Sequence, residues 1–266
     1  MTNRPVALSI AGFDCSAGAG LQADLKTFSA LGVYGLTAVT CVVAETPNVV
    51  TRIDPVDGSM VAEQIRLLDA SFPIAAVKTG MLYDVPQIEA VADALEGLGK
   101  SIVVDPVMIA STGDPLLKPE ALSAFKNRVL PLATVITPNR AEAEFLSGTS
   151  IPDLETAKEV ARDLAARFNC ACVLKGGHLD SEHGATDVLA TSSDVTILEG
   201  PWIDLPSAHG TGCTFAAALT ASLAKGENVQ TATRTAKSFV TAALKNANCW
   251  NDGQLITLDQ TRFPAS

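Results

Sequence analysis

The chain is short of basic, aromatic and histidine residues, and each shortage closes off a class of function. Lysine and arginine number 19 against 29 acidic residues, which gives a formal net charge of −10 and a pI near 4.7. A surface of that sign repels phosphate backbones and anionic bilayers, so neither a nucleic acid nor a membrane is expected as a partner. No apolar run approaches the roughly 20 residues that span a bilayer. The stretch 6–11 is too short for the core of an export signal, and no convincing small-residue cleavage site follows it. Three histidines in 266 residues are thin material for a thiol–imidazole hydrolase built from Cys213 with His209 or His178. The six cysteines are scattered, and Cys170 and Cys172 have no second pair nearby, so a zinc site and a disulfide framework are both disfavoured. Free thiols in a reducing cytoplasm are the expectation. The G-x-x-x-x-G-K-[ST] phosphate loop is also absent, which removes the P-loop kinases.

What is present is apolar bulk and rhythm. Hydrophobic residues make up 47% of the chain, enough for one α/β domain spanning 1–266 with a full core. Short runs at 6–11, 36–44, 74–78, 102–105, 134–137 and 170–175, mostly apolar with polar residues chiefly at their ends, read as buried strands. Between and after them, 21–31, 61–68, 85–98, 122–130, 140–146, 154–168, 211–223 and 229–244 read as helices. Residues 188–198 read as two strands around Ser192-Ser193-Asp194. Apolar strands alternating with amphipathic helices imply a mostly parallel, doubly wound sheet with helices on both faces. Ligands of such sheets bind beyond the carboxyl ends of the strands. Those ends carry Asp14, Glu45, Thr79-Gly80-Met81, Asp105, Asn139 and Lys175-Gly176-Gly177.

The strongest local signal is His209-Gly210-Thr211-Gly212-Cys213-Thr214, running straight into an apolar helix. Glycines at a helix start free backbone N–H groups to converge on an anion, with the helix dipole behind them. Cys213 sits in that field, where a thiol pKa can be lowered enough for general-base work. An ordinary helix start, capped by Thr211 or Thr214, is the plainer alternative. Asn139 and Glu142, three apart at another helix start, lie on one face, where a carboxylate can hold metal-bound water; a capping pair is the plainer reading.

These blocks together resemble the hydroxymethylpyrimidine and phosphomethylpyrimidine kinases of thiamine biosynthesis, in the ribokinase-like superfamily, and the related bacterial pyridoxal kinases. The resemblance runs over roughly 6–245. It includes the segment from Ala11 to Thr27, Lys78-Thr79-Gly80-Met81-Leu82, Val104-Asp105-Pro106-Val107-Met108, Ser111-Thr112-Gly113-Asp114-Pro115-Leu116-Leu117, Ile136-Thr137-Pro138-Asn139 and Leu174-Lys175-Gly176-Gly177-His178. It implies ATP and Mg2+ as cofactors, a heterocyclic alcohol as acceptor and a homodimer, beside the cytoplasmic location already expected from the cysteines and the missing export signal. By the same resemblance Cys213 is the catalytic base, within the anion hole of Gly210, Thr211 and Gly212. Asp105, Asn139 and Lys175 face the ATP phosphates, and Glu142 holds magnesium through water. Gly12, Asp24, Glu45, Met81 and Val107 line the heterocycle, while Gln22 and Lys26 are structural or exposed.

Glu45 departs from the family pattern, which has glutamine there. A carboxylate only accepts hydrogen bonds unless protonated, so it can face an exocyclic amino group and a protonated ring nitrogen. Residues 109–112 lack the flap cysteine with which pyridoxal kinases of this subgroup trap an aldehyde, so pyridoxal kinase is the second expectation. A non-catalytic pyrimidine-binding regulator is a third, opposed by the intact cation, metal and anion-hole residues. Gly18, Gly20 and Ala23 also satisfy a dinucleotide G-x-G-x-x-A pattern. Residues 13–17 intervene where that fingerprint needs a tight turn, and it leaves the loop at 210–213 unexplained.

Overall fold

The computed structural model describes residues 4–109, 113, 115–177, 184–205 and 208–262. Ala110, Ser111, Thr112, Asp114 and His178, which the sequence reading singled out, lie outside the described residues. Nine strands form one sheet: β1 (Val6–Asp14), β2 (Tyr34–Thr46), β3 (Val49–Pro55), β4 (Ile74–Thr79), β5 (Ser101–Val104), β6 (Val135–Ile136), β7 (Ala171–Lys175), β8 (Ala185–Ala190) and β9 (Val195–Gly200). Their order is β3-β2-β1-β4-β5-β6-β7-β8-β9. β2, β1, β4, β5, β6 and β7 run parallel, and β3, β8 and β9 attach antiparallel at the edges. The chain winds outward from β1 to β2, then restarts at β4 on the other side of β1. That reversal opens a crevice between the ends of β1 and β4.

Successive side chains of the central strands serve opposite faces, as a two-residue period requires. Ala7, Ala76, Val103, Val135 and Val173 meet α1 (Gly20–Ala30), α7 (Thr211–Ala224) and α8 (Val229–Lys245). Leu8, Val77, Val104, Ile136 and Leu174 meet α2 (Gly58–Ser71), α3 (Val85–Leu95), α5 (Arg140–Ser147) and α6 (Leu154–Phe168). The α7 face is built from alanines, Ala216, Ala217, Ala218 and Ala221, all buried. Without long side chains between them, the helix backbone approaches the sheet closely and brings its first turn to the strand ends. Among the described residues no helix is long and apolar enough to cross a membrane.

Three expectations need correction. The helix expected over 122–130 is a single α turn, α4 (Leu122–Ala124), between a 3-10 turn and a π turn. Pro131 has no N–H to offer Asn127, so a regular helix cannot run through. α3 stops at Leu95, ahead of Gly97 and Gly99, both in the left-handed region. β3 and a small hairpin, β10 (Asn248–Trp250) with β11 (Leu255–Thr257), were not expected, because β3 and β10 are mostly exposed and β11 is only three residues long.

Candidate active site

The crevice at the switch point holds a cavity of about 360 Å3. β1 contributes Gly12, the residues just after β4 contribute Gly80 and Met81, β2 contributes Val43 and Glu45, and the segment after β5 contributes Asp105 and Val107. Asn139, Glu142 and Lys175 complete one wall, and the first turn of α7 brings Gly210, Thr211, Gly212 and Cys213. All the expected site residues therefore meet in one place except Asp24.

The α7 end is shaped for an anion. Gly210 has φ +87°, and a side chain there would collide with the Gly18 carbonyl. The first helical bond is Thr214 N–H to the Gly210 carbonyl, 2.9 Å, which leaves the N–H groups of the preceding turn at the mouth of the dipole. A Cβ on Gly212 would stand 3.3 Å from Lys175 Nζ and 3.6 Å from Asp105 Oδ2, so the backbone there comes close to both charges. Lys175 Nζ donates to Asp105 Oδ1 at 2.9 Å, and Thr137 Oγ1 donates to the same oxygen at 3.0 Å. Burial alone would lower the Lys175 pKa; Asp105 and Glu142 outweigh it and hold the ammonium charged.

Asn139 and Glu142 form a capping box on α5: Glu142 N–H donates to Asn139 Oδ1, and Asn139 N–H donates to Glu142 Oε2. The plainer reading is thus fulfilled, and it also fixes the carboxylate in the cavity wall. Burial pushes Glu142 up to about 7, against Lys175 and with Asp105 adding to the rise. A buried carboxylate short of positive charge, beside Asp105 and Asn139, fits a divalent cation.

Asp24 lies beneath the cavity rather than in its wall. It faces Lys78 Nζ at 2.8 Å, both side chains 0% exposed, and accepts from Ser9 Oγ. Its other oxygen has no hydrogen-bond partner among the described residues. Packing of α1 onto β1 and β2 turns Asp24 toward Ser9 and Lys78. The lowered thiol pKa expected of Cys213 is also overturned. Burial pushes the thiol up to about 11; Lys78 and the Gly20 N–H pull it down, while Asp24 and Asp105 push it further up. The helix end is offset by the enclosure it creates, and the resting group is a thiol.

Sequence reading gave no site role to Lys78, Asp14 or His209. Lys78 had a signal, since it is the one charge in the otherwise apolar strand β4. Asp14 had only its position near a strand end. Its pKa falls to about 2: burial opposes this, but His209 Nε2 at 3.0 Å and the N–H groups of Ala19 and Ser16 prevail. A second cavity of about 450 Å3 shares Asn139, Lys175, Ala208, Thr211 and Gly212 with the first. Trp202, Phe215, Val240 and Leu244 give it apolar walls.

The architecture is that of the ribokinase-like fold, and solved structures agree. The Bacillus subtilis pyridoxal kinase in its ADP complex superposes with a TM-score of 0.88 at 39% identity, over 97% of this chain and 98% of that one. Phosphomethylpyrimidine kinase from Clostridium difficile gives 0.81 at 35% identity, over 91% and 100%. The hydroxymethylpyrimidine/phosphomethylpyrimidine kinase of Rhizobium meliloti is 42% identical over 252 residues, 94% of each chain. The model of the phosphomethylpyrimidine kinase family matches residues 14–257, and the chain belongs to that family.

Proposed function

We propose that the chain moves the γ-phosphoryl group of ATP onto the hydroxymethyl oxygen of 4-amino-5-hydroxymethyl-2-methylpyrimidine, and then onto the phosphate of that product. The observation that carries this reading is the joining of two cavities at the first turn of α7. The apolar second cavity takes the adenine, and the first takes the acceptor ring against Gly12, Val43, Met81 and Val107. The phosphates then lie where both cavities share Lys175, Thr211 and Gly212.

In the transfer, the acceptor O–H bond breaks and an O–P bond forms as the bond to ADP breaks. The N–H groups of the α7 turn and the Lys175 ammonium stabilise charge on the moving phosphoryl group. Cys213, a thiol at rest, first gives its proton to solvent and then, as thiolate, receives the acceptor proton; the Lys78 charge favours the thiolate against burial. Asp105, Asn139 and Glu142 are the residues that would hold magnesium, which when bound neutralises phosphate charge. Asp24 acts at one remove, by holding Lys78.

A vitamin B6 alcohol is the second reading, favoured by the 39% identity with the pyridoxal kinase. Phosphorus NMR of a mixture of protein, ATP, magnesium and the pyrimidine alcohol tests the first reading. A phosphomonoester followed by a diphosphate ester is expected. ATP consumption that yields only inorganic phosphate would refute it.

A further inference from the structure

Two titratable groups of the cavity wall, Glu45 and His209, and the buried Asp14 next to them are left unused by phosphoryl transfer. Asp14, Glu45 and His209 bring a carboxylate oxygen, a second carboxylate oxygen and a ring nitrogen within 4.8 Å of one another. They come from β1, β2 and the loop before α7. The three are not equivalent. Asp14 Oδ1 accepts from Ser16 N–H, while Oδ2 accepts from Ala19 N–H and faces His209 Nε2. Three donors converge on it and hold it as an anion. Glu45 has no side-chain hydrogen bond or ion pair among the described residues.

Among the described residues His209 lies within 4.8 Å of the Glu45 carboxylate and offsets its charge only in part. His209 Nε2 is spent on Asp14. Arg52, on the neighbouring β3, is held by Asp54 at 2.7 Å. Lys175 and Lys78 are matched to Asp105 and Asp24. The Cys15 thiol touches only the backbone of Glu45. Two carboxylates this close do not both ionise without a counter-charge, so the proton goes to the one that lacks donors.

We propose that Glu45 recognises the heteroaromatic ring as the neutral acid, its O–H donating to an unprotonated ring nitrogen and its other oxygen accepting from the adjacent amino group. The proton is drawn from solvent, and the ring stays neutral. This reverses the sequence expectation of a charged Glu45 facing a protonated ring, and it rests on the pyrimidine reading above. An ionised Glu45 would set two acceptors against each other, an unmet contact that weakens binding. Burial first, then the Asp14 charge, pushes Glu45 up to about 7, with His209 opposing.

The sign follows from that direction. The binding-competent protonated form is populated below about pH 7 and is lost as pH rises through it. The test is the Kd of 4-amino-5-hydroxymethyl-2-methylpyrimidine between pH 7 and 8.5, for the parent and Glu45→Gln, with the ultraviolet spectrum of the bound ring. The parent should bind about 15-fold more weakly at the upper pH, as linkage to one such group requires. Glu45→Gln should bind with no such dependence, and the bound ring should keep its neutral spectrum. A pH-independent Kd in a parent that still turns over the pyrimidine would overturn this proposal alone. So would a protonated-ring spectrum in the complex. No binding or turnover of the pyrimidine at any pH would overturn the substrate reading and this proposal with it.

Discussion

At the phosphate end of the cavity every cation has a carboxylate of its own, Lys175 with Asp105 at 2.9 Å and Lys78 with Asp24 at 2.8 Å. At the ring end two carboxylates, Asp14 and Glu45, meet one histidine. The phosphate end is built of matched pairs, its one unmatched carboxylate, Glu142, being a group assigned to the metal, and it offers N–H donors and ammonium charge to a negative group. The ring end is one charge short, so its protonation state adjusts to what it binds. Chemistry belongs to the first region and selection to the second. Variants placed in each should separate turnover from affinity.

The largest effect belongs to the phosphate end. Cys213→Ala should lower kcat by roughly 10²–10⁴, the range for losing a general acid–base group, while ATP binding persists. Unchanged kcat at saturating substrate would make the cysteine structural. Next is Lys78→Met, which strands Asp24 as an uncompensated buried charge and should cost about 3–5 kcal/mol in denaturant unfolding. A second change, Asp24→Asn, should restore a large part of that loss. A Lys78→Met protein of parental stability would show that the pair is not electrostatically important.

The ring end has a smaller and pH-dependent counterpart. The Asp14 carboxyl is depressed from 3.8 to about 2. Its contribution is complete above about pH 4 and disappears as pH falls through 2. Asp14→Asn should therefore cost about 2 kcal/mol near neutrality, with the two stability curves converging in acid. Parallel curves would remove the carboxylate as the cause. The smallest effect is expected from Glu142→Gln, which keeps much of the helix cap. It should raise the magnesium needed for half-maximal rate about tenfold, as loss of a group that acts through metal-bound water typically does. An unchanged requirement would leave Glu142 a helix cap only.

Much of this was legible in the sequence because it is local. Asn139 and Glu142 are three residues apart on one helix start, and Gly210 to Cys213 form one turn. Strand ends can be read from where an apolar run stops, which placed Glu45, Met81 and Asp105 together once the sheet was inferred as doubly wound. The missed features are those that depend on distant partners. Asp14 and His209 lie 195 positions apart and Lys78 and Asp24 54, and no spacing rule joins them. The Cys213 error has the same origin. The helix dipole is visible in sequence, but the burial that outweighs it comes from α1, β4 and β5 closing around the thiol. β3 escaped because an exposed edge strand needs no apolar pattern.

The division of labour between the two ends, with the acceptor chosen as a pyrimidine, is tested most directly by competition. Equal concentrations of 4-amino-5-hydroxymethyl-2-methylpyrimidine and pyridoxine would be offered to the protein with ATP and magnesium at pH 7, and the two phosphorylated products separated and counted. The pyrimidine phosphate should predominate for the parent. Cys213→Ala should slow both products without changing their ratio, because the ring is chosen elsewhere in the cavity. Predominance of pyridoxine phosphate, or a ratio that shifts with Cys213→Ala, would contradict the account.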